Sequence, residues 1–243
     1  MSSDKRFLAL YLVAPLQSWG ISSQYNHRNS ALMPTKSGIA GMCCAALGLP
    51  RGSSEEQEFL KLFLKVRMTS IAIPRLIKAK ELQVRRLQDY HTVGGGYCPD
   101  NQNERQHITT SAGTGKPKTN KGQSISILTH RQYLTDAAFG ILLEGNTLLD
   151  KIAEALINPK WGIWLGRKSC IPSAPIFSGI KNNQSDALAL LIGEKPLEAF
   201  TRQVDCENFS DGRDSLPDEA LSFDSAKRQF SPRRVRTWQA GEL

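Results

Sequence analysis

Gly94 to Ser124 is a stretch of the chain that no hydrophobic core can absorb. It holds six glycines and four basic residues, Arg105, Lys116, Lys118 and Lys121, with Ile108 as its only aliphatic side chain larger than alanine. Such a segment cannot bury enough apolar surface to offset its ordering entropy. A structureless stretch of this length inside a compact domain is usually functional or disordered. We read it as a mobile, basic projection that orders on a partner; the alternative is a tolerated insertion without a role. The core must therefore come from the segments on either side.

On the N-terminal side, Phe7 to Ala14 reads as a strand ended by Pro15. A polar loop leads to Pro34-Thr35-Lys36-Ser37-Gly38, which opens a helix with Ile39, Met42, Cys43, Ala46 and Leu47 on one face. Ser37 is the expected N-cap and Gly48 the expected stop. Ser53-Ser54-Glu55-Glu56 has the form of a capping box for a second helix, with Phe59, Leu60, Phe63 and Leu64 as its buried stripe. Met68–Ile73 and Leu82–Val93 read as strands. Beyond the glycine-rich segment, Ser126–Leu134 and Ala137–Glu144 are strand-like, and Thr147 to Asp150 is a further capping box before a helix carrying Leu149, Ile152 and Leu156. Trp161 to Phe177 shows no period, Ala187–Ile192 reads as a short apolar strand, and Val235–Trp238 as a last one. The order β-α-α-β, then β-β-α-β, predicts one α+β domain over residues 1–243. Its core is of the ferredoxin-like (RRM-like) kind, with an insertion at about 94–124 and a smaller C-terminal β-rich part from about 178.

The net charge is +8, yet Asp205 to Asp224 holds seven acids and one base. That local −6 leaves +14 on the rest of the chain, a bias toward a polyanionic partner. No apolar run approaches the roughly 20 residues of a membrane span. The N-terminal residues lead straight into a strand with no signal-like hydrophobic region, which predicts a cytoplasmic protein. Five cysteines, an odd number without framework spacing, agree.

Catalytic motifs are scarce. There is no Cys/His spacing for zinc, no phosphate-loop or dinucleotide fingerprint, and no carboxylate pattern for a metal ion, so neither cofactor nor metal is expected. RNA cleavage without a metal needs a group that takes the 2′-hydroxyl proton and a cation for the developing charge. Tyr90, His91 and Lys116 could supply those roles if the glycine-rich segment folded back. Binding residues are more evident. The start of the first helix is a natural anion site, to which Lys36 adds a charge. Gly166-Arg167-Lys168-Ser169 is short, basic and flexible, and follows Trp161 and Trp164. Lys227, Arg228, Arg233, Arg234 and Arg236 place five bases within ten residues, with Phe230 and Trp238 nearby, a mixture suited to single-stranded RNA. The same tail also reads as a solvated charged surface balanced by the acidic segment before it.

Five blocks together resemble one family. They are Ala14 to Gly20 with Gln17 and Trp19, Pro34 to Leu49, Asp89 to Val93, Thr129 to Ala137, and Trp164 to Pro172. In this order they look like the CasD family of the type I-E CRISPR Cascade complex. The resemblance implies a ferredoxin-like core with a projecting thumb at 94–124. It also implies a non-catalytic subunit that grips the 5′ handle of CRISPR RNA and caps a backbone of other subunits. The large subunit docks nearby, and any contact with target DNA is indirect. Carried onto this sequence, it places Gln17, Trp19, Lys36, Ser37, Gly166, Arg167, Lys168 and Ser169 toward RNA. Arg105, Lys116, Lys118, Lys121, Arg233 and Arg234 join them on charge alone. In related type I-C systems the counterpart cleaves repeat RNA, which keeps a metal-independent endoribonuclease as the alternative.

Overall fold

The computed structural model of the chain describes residues 5–21, 23–24, 26–78, 80–93, 119–120, 123–124 and 127–242. Its first strand, β1 (Arg6–Val13), is apolar at nearly every position, as suits a strand covered on both faces. Leu8, Leu10 and Leu12 face one side and Ala9 the other, all fully buried. β1 pairs antiparallel with β5 (Ala138–Gly145) and with β6 (Phe177–Lys181).

The helix α1 (Lys36–Leu47) begins two residues earlier than expected. Thr35, with extended backbone, is the N-cap in place of Ser37, and its Oγ1 accepts the Gly38 N–H at 3.3 Å. Gly48 ends the helix in the left-handed region as the sequence predicts. Its N–H reaches Ala45 O while that of Leu49 reaches Cys44 O. The next helix, α2 (Ser54–Phe63), is capped by Ser53, and Phe59, Leu60 and Phe63 are buried. It leads into β2 (Arg67–Ala72). After β5 comes α3 (Leu148–Ile157), where Asn146 rather than Thr147 supplies the side-chain contact, its Oδ1 accepting from Leu148 N–H at 2.9 Å. The four strands stand in the order β6-β1-β5-β2 with every neighbour antiparallel. All three helices add apolar residues to one core cluster with β1 and β5, in which Ile39, Phe59 and Ile152 meet Leu10 and Ile141.

Ala187–Ile192 is not a strand. It lies in a helix, α4 (Gln184–Ile192), capped by Asn183, whose Oδ1 accepts from the Asp186 N–H at 2.8 Å. Short apolar runs are ambiguous between helix and strand. Here Ala and Leu, both good helix formers, and the cap decide. α4 closes the other sheet face, with Leu191 against Ala9 and Ile71 and Ala187 against Phe7 and Leu142.

Three strands that sequence patterning missed or shortened extend the same sheet beyond β2. They are β7 (Arg202–Asp205), β8 (Asp214–Ser222) and β9 (Gln229–Trp238), giving the order β6-β1-β5-β2-β7-β9-β8. Separately, β3 (Arg85–Val93) and β4 (Ile127–Thr135) form an antiparallel ribbon. β4 also pairs with Leu16–Gln17 and, in parallel, with His27–Arg28. Gly94–Ser124 connects the two ribbon strands. Only the paired strands Thr119–Asn120 and Gln123–Ser124 of that segment fall among the described residues. The expected mobile projection therefore lies mostly outside them, together with Arg105, Lys116, Lys118 and Lys121.

Candidate nucleic-acid interface

A cavity of about 450 Å³ opens where the start of α1, the loop after β1, the segment after α3 and the β8–β9 turn converge. Thr35, Ser37, Gly38 and Met42 of α1 form one wall, and Trp161, Trp164 and Gly166 another. Phe223 and Phe230, edge to face at 6.4 Å, form the third. Four arginines line it: Arg28, Arg51, Arg167 and Arg228. Glu56 is the one carboxylate among the described lining residues. None of the four arginines makes a salt bridge among the described residues. Uncancelled guanidinium groups around partly exposed rings (Trp161 is 46% exposed and Phe230 42%) suit a ligand with both phosphates and unstacked bases.

The Gly166-Arg167 corner is held by backbone. Gly166 sits at φ +100°, and a Cβ there would come within 1.7 Å of Ser18 O. Leu165 O accepts the Ser18 N–H at 3.1 Å. Only glycine allows this approach, so Gly166 joins two loops at the edge of the cavity. Arg167 is thereby aimed. Its guanidinium lies over the Tyr133 ring at 4.7 Å and donates to Gln132 O at 3.2 Å and Arg28 O at 2.8 Å. Lys168 projects over Trp164 with its ammonium 5.9 Å from the ring centre, and Ser169 is exposed.

Several candidates from the sequence turn inward instead. Gln17 is fully buried; its Nε2 donates to Leu12 O and Ala137 O, and its Oε1 accepts from Trp19 Nε1 at 3.1 Å. Trp19 is 1% exposed, so it forms floor and not a stacking surface. Lys36 is also buried. Its ammonium sits 2.7 Å from Glu219 and 3.4 Å from Asp205, and its backbone N–H donates to Asp218. The anion at this helix start is thus a carboxylate of the chain itself. Arg233 is enclosed by Asp218 and Asp205. Burial alone would lower its pKa, but hydrogen bonds and charge from Asp218 and Asp205 outweigh that and raise it. Arg234 points to the opposite sheet face, over the Phe209 ring at 4.3 Å, and donates to Phe209 O and Gly212 O. The acidic segment is consequently the counter-charge for Lys36 and Arg233.

Of the alternative catalytic set, Tyr90 and His91 fall among the described residues and are not brought together. Tyr90 and His91 are neighbours on β3, so the pleat sends them to opposite faces of the ribbon. Tyr90 meets the His130 ring edge-on at 4.8 Å, and His130 stacks on His27 at 4.9 Å. His91 lies instead 3.6 Å from Asp89. Lys116 is outside the described residues. No cluster of metal-ligating side chains and no helix long and apolar enough to cross a membrane occurs among the described residues.

Arg28, Arg51, Arg228 and Phe223 escaped the sequence reading as a set. Arg28 lies in a short strand, Arg51 in the α1–α2 loop, and Phe223 and Arg228 in the β8–β9 turn, and only the fold brings them to one rim. Arg228 and Phe230 carried a usable signal, a base and a ring flanking the start of a strand.

A family model described as CRISPR-associated protein (Cas_Cas5) matches residues 7–236. The chain is 27% identical over 191 residues to the CRISPR system Cascade subunit CasD of Escherichia coli (strain K12), spanning 77% of this chain and 76% of that protein. A solved structure described as a CRISPR RNA-guided surveillance complex contains a chain that matches with TM-score 0.70 at 29% identity, over 95% of this chain and 88% of the other. A crystal structure of a Cas protein matches with TM-score 0.60 at 26% identity, over 97% and 95%.

Proposed function

Because this chain belongs to the CRISPR-associated Cas5 family, we propose that it is a non-catalytic subunit of a Cascade-type surveillance complex that holds the 5′ handle of CRISPR RNA in the arginine-lined cavity. The observation that carries this reading is the pairing of four arginines, none in a salt bridge among the described residues, with partly exposed rings in one opening. Phosphates would meet the rim and bases the aromatic walls. The strand order β6-β1-β5-β2, with helices packed against one face, supports a ferredoxin-like core. The β3–β4 ribbon that carries the glycine-rich segment supports the thumb of such a subunit. In this reading the protein works in the cytoplasm beside the backbone and large subunits, and guide pairing reads target sequence. Separation of Tyr90 from His91 across the ribbon supports a role without chemistry.

The test is incubation of the purified protein with its own repeat RNA in EDTA, scored for cleavage and for gel shift. Intact RNA with a shift that weakens steeply as salt rises is the expected result, since phosphate contacts release counterions. Site-specific cleavage lost in His91→Ala would overturn the non-catalytic reading.

A further inference from the structure

Three rings stand together on one face of the β3–β4 ribbon. His130 of β4 lies opposite Tyr90 of β3 and opposite His27 of the short parallel strand, so the pleat sends all three the same way. His27 and His130 stack almost parallel, 4.9 Å apart at 7°, and Tyr90 meets His130 edge-on at 4.8 Å. Gln88 Nε2, on the same face, lies 3.2 Å from His130 Nδ1 and holds that ring in place. The cluster is at the surface: Tyr90 is 63% exposed and His27 is exposed. The outer face of His27 is stacked on no ring among the described residues.

We infer that this cluster is a second base-binding site, in which an unpaired RNA base stacks on the outer face of His27 and lengthens the His130–His27 column. The inference rests on the RNA-binding reading of the cavity and adds a second station on the same strand. None of the three rings lines the cavity, but Arg28 at its rim follows His27 directly, so about 3.8 Å of backbone separates the two stations. Aromatic and histidine rings presented on an open sheet face suit splayed single-stranded bases. Exposed Arg86 shares this face and brings charge for a phosphate, while exposed Leu87 points to the other, so the patch fits RNA better than an apolar protein surface. A stack of this kind accepts any base, because each has a π face.

The test measures binding of the full-length protein to its own labelled repeat RNA by fluorescence anisotropy over a range of salt. His27→Ala should lose about fivefold or more in affinity, the low end of one base–ring stack, and His27→Phe should recover most of it. The slope of log affinity against log salt should stay at the wild-type value in both, since stacking releases no counterions. A substrate-side arm scans the RNA with single abasic sites: one position should weaken the wild type and leave His27→Ala unaffected. Wild-type affinity in a folded His27→Ala, or a His27→Phe as weak as the alanine variant, overturns the inference and leaves the cavity interface standing. Unchanged RNA affinity with lost co-purification of other complex subunits assigns the rings to a protein and overturns it as well. Absence of RNA binding by the wild type overturns both readings.

Discussion

Arg233 holds Asp218 through two hydrogen bonds, Nε to Oδ1 at 2.6 Å and Nη2 to Oδ2 at 2.9 Å, with both side chains buried. The same Oδ2 accepts the first backbone N–H of α1, from Lys36, at 2.9 Å. One carboxylate thus ties the β8–β9 hairpin to the helix start, and the hairpin carries Arg228 and Phe230 to the cavity. The pair acts on the site by placing its wall.

Removing one partner of this buried network should be strongly destabilising. Arg233→Ala leaves Asp218 and Asp205 buried without their guanidinium, and Lys36→Ala strands Glu219. Each should lower unfolding free energy by about 3–5 kcal/mol in chemical denaturation. A loss within about 0.5 kcal/mol would show that these cations are not structural.

The cavity arginines and the sheet arginines should separate in RNA binding. Arg228→Ala should reduce the slope of log affinity against log salt by about 0.7, the share of one phosphate contact on a single strand. Arg234→Ala should leave that slope unchanged, because its guanidinium is held on the far sheet face by Phe209 and two carbonyls. Equal effects from the two variants would move the RNA path off this cavity.

Gly166→Ala tests the loop junction. The new methyl collides with Ser18 O, and the backbone at φ +100° resists any L side chain. Overpacking and strain together should cost about 2–4 kcal/mol and disturb Arg167, so melting temperature and RNA affinity should fall together. An unchanged melting curve would refute the close packing of these loops.

Alkaline stability should report the buried thiols of α1. Burial first, and then the nearby charge of Glu56, pushes the Cys44 thiol up to about 12 from an ordinary 9.0. Cys43 shifts in the same direction. A raised folded-state pKa means that the stability is fully present below about pH 9 and is lost as pH climbs toward the folded value. Between those limits each thiol should cost about 1.4 kcal/mol per pH unit, measured by urea unfolding at pH 8 and pH 10. Cys44→Ala should flatten part of that decline; an unchanged slope would place the effect elsewhere.

Particular residues show how far the chain could be read in advance. β1, β2, β5, the ribbon strands and three helices were legible because periodicity, caps and stop signals are local. α4 was not, since six apolar residues fit either element and the deciding Asn183 cap is a small signal. The acidic β8 was not, because its apolar alternation is broken by Asp218 and Glu219, whose partners are remote in sequence. Among the site candidates, Ser37, Gly166 and Arg167 do line the cavity. Gln17, Lys36 and Arg233 were polar or basic in the right neighbourhood but face inward, and Trp19 is a buried ring at the cavity floor.

The sequence by itself determined which segments can form a core, where most elements begin and end, the basic excess, and the family to which the blocks belong. These follow from side-chain size, charge and spacing, which act over a few residues. Only the tertiary structure decided which cations are available to a ligand. A guanidinium such as Arg233 and one such as Arg228 are chemically identical along the chain. They differ because the fold brings two carboxylates to the first and leaves the second at an open cavity.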